Sequence, residues 1–175
     1  MRLNELFNYK NQLMKDICSN ERIVKLITDR SDSEVPNHTL PYSQVFPFEF
    51  VPETVDDGQT FVCFDVDVES VDNRTFYNPV LYIWIFTHKS KLRLPEGGVR
   101  TDEIASAIDD VLNCSRVYGL GELSLNSVDR FVPTIDYQGR VLVYIAKDFN
   151  KVYSSRNSSP PATRRSGAIR LSSTH

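Results

Sequence analysis

Residues 80–86 read Val-Leu-Tyr-Ile-Trp-Ile-Phe, an apolar run without a single polar interruption. It is too short to span a bilayer. Its β-branched and aromatic residues suit a strand covered on both faces, central in its sheet. Such a strand needs partners on either side. The stretch before it, "GQTFVCFDVDVESV", supplies one. From Phe64 onward it alternates, with Phe64, Val66 and Val68 on one side and Asp65, Asp67 and Glu69 on the other. "DNRT" between the two stretches reads as a turn, so an antiparallel hairpin is expected.

The remaining elements are arranged around this hairpin. Leu3, Leu6, Phe7, Leu13, Ile17, Ile23, Val24 and Ile27 recur at helical spacing over the first 29 residues, with Ser19-Asn20 a candidate break. From residue 30 to 58 the periodicity stops. Pro36, Pro41, Pro47 and Pro52 forbid a helix or central strand there. Tyr42, Phe46, Phe48 and Phe50 among them predict an arm laid over a hydrophobic surface. "TDEIASAIDDVLN" is the clearest helix, with Thr101 as expected N-cap and Ile104, Ile108, Val111 and Leu112 as its apolar stripe. Leu123, Leu125 and Val128 alternate in a third strand, and Val141 to Ala146 form a fourth, entered through a Gln138-Gly139 turn. The expected fold is α+β: an N-terminal helix, a four-stranded mainly antiparallel sheet (61–70, 79–88, 120–129, 140–147), one helix packed on it, and the arm. Residues 1–150 form a single such domain, and 151–175 a basic Ser/Pro-rich tail whose composition resists folding alone.

Charge is divided unevenly. The net charge of −3 combines a tail of +5 (Lys151, Arg156, Arg164, Arg165, Arg170) with −8 in the first 150 residues. An acidic body is a poor general binder of nucleic acid. Cys18, Cys63 and Cys114 lie far apart, which predicts three buried thiols in a reducing compartment and no zinc or disulfide framework. The first residues are too polar for a signal peptide, and no apolar run is long enough for a membrane span.

Three readings of the acidic strand compete. Asp65, Asp67 and Glu69 could hold Mg²⁺ or Mn²⁺ in a metal-dependent nuclease, but the next strand, Val80 to Phe86, offers no charged partner residue. They could be the wet face of a sheet. They could also receive bases from a neighbouring subunit. "HKSKLRL" alternates Lys89, Lys91 and Arg93, with Arg100 beyond the Gly97-Gly98 bend. If the strand continues past Phe86, these bases form one face of a projecting ribbon. Asp109 and Asp110 on the helix are further candidate acceptors, and Phe46, Phe48 and Phe50 candidate apolar contacts. His38, His88 and His175 stand near no nucleophile, and "GLGEL" lacks the helix that a phosphate-cradling loop requires. No enzyme and no cofactor are therefore expected. A monomeric adaptor that binds peptides by strand addition is a third class.

The order of elements, and the stretch "PVLYIWIFTHKSKLRLPEGGVRTDEIASAIDDVLNCSRVYGLGELSLNSVDRF", resemble the tail terminator and tail-completion (head–tail connector) proteins of long-tailed bacteriophages. The resemblance covers residues 60–150. It implies a structural virion protein in a homo-oligomeric ring of six at the head–tail junction, assembled in the host cytoplasm. The expected partners are portal or connector and tail tube proteins, with DNA passing through the lumen without specific binding, and no membrane.

Overall fold

The computed structural model describes residues 5–29, 39–52, 58–70, 76–118, 120–146 and 148–149. Two helices open it, α1 (Leu6–Ser19) and α2 (Glu21–Thr28). They part at Asn20, as the sequence suggests, because the Asn20 side-chain oxygen accepts the Ile23 amide at 3.1 Å and starts a new helix. Then follow β1 (Val45–Phe46), β2 (Thr60–Ser70), β3 (Phe76–His88), α3 (Arg100–Leu112), β4 (Ser124–Phe131), β5 (Tyr137–Ile145) and β6 (Asp148–Phe149).

The sheet order is β1-β2-β3-β5-β4, with β6 paired to the start of β3. All pairings are antiparallel except β1 with β2. The apolar run of β3 is central, flanked by β2 and β5, and the fold is α+β as expected. The expected "DNRT" turn lies outside the described residues.

One face of the sheet carries the helices. Leu13, Ile17, Ile23 and Ile27 of the first two helices, with Ile104, Ile108 and Leu112 of α3, bury against Val62, Phe64, Val66, Leu81, Ile83, Ile85, Leu142 and Tyr144. Phe64 and Val66 are among the alternate β2 positions that the sequence sets on one side of the strand. The opposite face carries the proline-aromatic arm. Phe46 and Phe50 stack at 4.1 Å between ring centroids, over Phe61, which in turn meets Phe86 and Tyr137. The arm is thus held by its own sheet from residue 39 to 52, and β1 is its hydrogen-bonded foothold.

Three local expectations are corrected. Thr101 is not the cap of α3. The helix begins at Arg100 with Val99 as N-cap, and Thr101 is buried inside the first turn. Gln138-Gly139 is not a turn but lies within β5. Glycine is needed there for close approach: a Cβ at residue 139 would come within 1.7 Å of the Ile85 carbonyl oxygen. The third strand starts at Ser124, later than expected, because backbone bonds from Cys114 N to Leu123 O (2.8 Å) and Leu123 N to Ser115 O (3.0 Å) hold the preceding residues as a loop. Leu120 and Leu123 are buried anchors of that loop.

Candidate functional site

The basic stretch after β3 does not project. The strand ends at His88, and Lys89–Lys91 form a single 3-10 turn, initiated by the His88 ring, which accepts the Ser90 amide. That turn destroys the alternation that would have aligned Lys89, Lys91 and Arg93. Lys89 instead bonds Asp136 at 2.5 Å, and this amine holds the half-buried Asp136 carboxyl below its ordinary value. Lys91 approaches Asp29 at 4.0 Å. Arg93 is exposed, bridged through its backbone to Val99.

Arg100 departs furthest from its expected role. Its side chain is 4% exposed and forms an ion pair with Asp29. It also donates to the carbonyls of Leu26 (2.6 Å) and Lys91 (2.8 Å). One guanidinium therefore fastens the end of α2, the 3-10 turn and the start of α3 together. This use of a rigid, many-donor fork explains why the helix opens at Arg100 rather than at Thr101.

The acidic strand separates into unlike positions. Asp65 is half-buried, holds Lys10 Nζ at 2.5 Å and accepts the Val66 amide at 2.7 Å. Asp67 is exposed, and the side chain of Glu69 lies outside the described ones. On α3, Asp109 accepts the Tyr144 hydroxyl at 2.8 Å, and Asp110 meets Arg22 at 2.9 Å. Burial, helped by Asp109, pushes the Tyr144 phenol up. The acids and bases proposed to meet between subunits are largely engaged within one. Phe46 is buried, Phe50 half-buried and Phe48 exposed. Among the described residues no three His, Cys, Asp or Glu side chains converge as a metal-ligand group. Cys18 and Cys63 are buried as expected, but Cys114 is exposed, in the loop after α3.

Sequence reasoning missed a surface rather than a residue. Exposed apolar side chains include some near each end of the sheet, beside others in the arm, the loops and β5 (Phe48, Val51, Val99, Val117 and Ile145). Phe7 on α1 and Tyr42 in the arm are exposed at the β1 end. Val128, Val132 and Ile135 are exposed at the β4 end, Ile135 at 90%. Hydropathy alone could not separate these from core positions. The signal available was their place: one in the first turns of a helix, others in the turn after a strand.

A family model described as YomW matches residues 20–146, from the Asn20 cap to just past β5. The chain belongs to the YomW family. That name is of a phage-associated, SPbeta type, so the protein is phage-related. No curated protein matches it. The family region takes in α2, the arm, the whole five-stranded path and α3. The whole of α1, β6 and the basic tail fall outside it. Among the described residues no helix is long and apolar enough to cross a membrane.

Proposed function

We propose that the chain is a structural virion protein that forms an oligomeric ring of six at the head–tail junction, joining the connector to the tail tube around the path of DNA. The observation that carries this reading is the placement of exposed apolar residues at opposite ends of one sheet. Two different patches on opposite sides of a subunit make head-to-tail contacts, and such contacts close into rings when the rotation permits. The Phe7–Tyr42 patch on one subunit would receive the Val128–Ile135 patch of the next. Membership of a phage-related family supports the setting. The charge of −8 over the first 150 residues suits a lumen through which DNA slides without being held. The basic residues of the 3-10 turn and Arg100 have no part in this contact, since their partners are internal.

Light scattering after size exclusion tests the ring directly. The full-length chain should elute at several times its 20.1 kDa mass. Phe7→Asp and Ile135→Asp should each release folded monomers with unchanged circular dichroism. A chain that is monomeric at every concentration, or a ring indifferent to both changes, would overturn the proposal. So would absence of the protein from purified phage particles.

A further inference from the structure

Two cavities share Leu92 and Val99 as a common wall. The first, of about 220 Å³, lies between the start of α3, the end of β4 and the start of β5, and is lined by Arg130, Gln138 and Arg140. Arg130 and Arg140 are direct cross-strand partners. Such partners point to the same face of a sheet, and like charges so placed destabilise it. Asp102 compensates one of them, accepting two bonds from the Arg140 guanidinium at 2.7 and 3.3 Å. Arg130 is exposed and has no carboxylate partner among the described residues. The second cavity, of about 490 Å³, lies between Lys89, Arg93 and the Gly97-Gly98 bend. That bend is fixed by backbone bonds from Leu94 N to Gly98 O (3.2 Å) and from Gly97 N to Leu94 O (3.1 Å). Here too one base is matched and one is not. Lys89 is held by Asp136, while the exposed Arg93 side chain has no carboxylate partner among the described residues.

Two uncompensated guanidiniums, one in each cavity, thus stand on either side of an apolar saddle made by half-buried Leu92 and Val99, which is 39% exposed. Guanidinium forks match carboxylates bidentately, and the saddle takes an apolar side chain between them. We propose that this pair of cavities docks a short acidic segment of a different protein, with an apolar side chain between two carboxylates. Charge complementarity carries the choice of partner. The patch is a local reversal on a body that carries −8 over its first 150 residues. A nucleic acid would run its charge on into that acidic surface, whereas a segment with two carboxylates need not. A second copy of the chain is a poor source. Its Asp65, Asp102, Glu103, Asp110, Glu122 and Asp136 are already paired with bases of their own chain. In β2, moreover, the acids and the apolar residues alternate onto opposite faces, where the saddle needs them on one. This docking does not depend on the ring.

The test uses the full-length chain and a fluorescein-labelled peptide, Glu-Ser-Leu-Ser-Glu, whose acids and leucine fall on one side when it is extended. Fluorescence anisotropy at low salt should show binding, and the same peptide with Gln in place of both Glu should not bind. Arg130→Gln should weaken binding roughly fivefold, the effect of losing one exposed ion pair at its strongest, and Arg93→Gln by a similar factor. Without peptide, Arg130→Gln should raise the urea midpoint slightly, because the like-charge pair across β4 and β5 is gone. A merely structural arginine would lower it. Ile135→Asp should leave peptide binding unchanged, so the docking and the ring stand or fall separately. Binding that ignores both arginine changes would overturn the proposal by assigning the peptide to the basic tail. Displacement by oligothymidylate as readily as by unlabelled peptide would overturn it in favour of nucleic acid. Light scattering in which Arg130→Gln alone separates copies of the chain would overturn it in favour of a second copy.

Discussion

The two faces of the sheet are built from the same strands yet solve burial differently. The helix face is closed by three helices whose aliphatic residues interlock with alternate positions of β2, β3 and β5. Among the described residues, the other face is covered by a few aromatic rings on an extended arm. Helices bring many contacts from one continuous element. The arm brings large rings on a chain whose single regular attachment is a two-residue strand. The difference teaches where the molecule should yield first. A face held by few large contacts can open locally while the other stays intact.

The largest expected effect tests the closed face. Ile108→Asp places a carboxylate among side chains with no partner for it. That costs several kcal/mol against a total stability of about 5–15 kcal/mol. Loss of cooperative thermal unfolding is the expected readout, and a fully folded variant would contradict the core described above. The same kind of change on the arm face should do less. Phe46→Ala removes the ring that Phe48, Phe50 and Phe61 all touch, at a cost of about 3 kcal/mol, the low end for losing a buried ring. Limited proteolysis should then cut within 39–52 while the sheet resists. Simultaneous loss of both would mean the faces are one unit.

The smallest effect compares two thiols, one beneath each cover. Burial pushes the Cys18 thiol, on the helix side, up to about 11 and the Cys63 thiol, beneath the arm, up to about 12. Both are acids whose folded value lies above the ordinary one near 9. The unfolded chain therefore releases these protons first, and stability present below pH 9 declines as pH rises toward 11 and 12. Urea midpoints should fall across that window, and less so in Cys63→Ala. At neutral pH, thiol labelling followed by mass spectrometry should mark the exposed Cys114 at once, then Cys63, and Cys18 last. Equal rates for Cys63 and Cys18 would show that the arm does not open alone.

How far the sequence could be read follows the same physical division. The strand β2 and the helix α3 were legible because their burial is periodic, and β3 because its apolar run is unbroken; both signals are written locally. Ser19-Asn20 was legible because a helix cap is local too. Arg100 was not, since its partners Leu26 and Asp29 are more than seventy residues away and two of its acceptors are backbone carbonyls. Gly139 was misread for a related reason. Next to Gln138 it has the look of a turn, and only the pairing with Phe86 reveals a crowded backbone. Lys89 and Lys91 were read as an extension of a strong strand, which the 3-10 turn cuts short. The candidate surface suffered most, because an exposed Phe7 and a buried Leu13 look alike until the fold places them.

The strand order has a further consequence for how the sheet holds together. Its four long strands form two pairs, β2–β3 and β4–β5, that are neighbours in sequence within each pair and are joined along the seam between β3 and β5. A lone two-stranded hairpin is marginal in water. Neither half can therefore outlast the other, and the seam that seats Gly139 against Phe86 is the zip whose closure makes the sheet a single cooperative body.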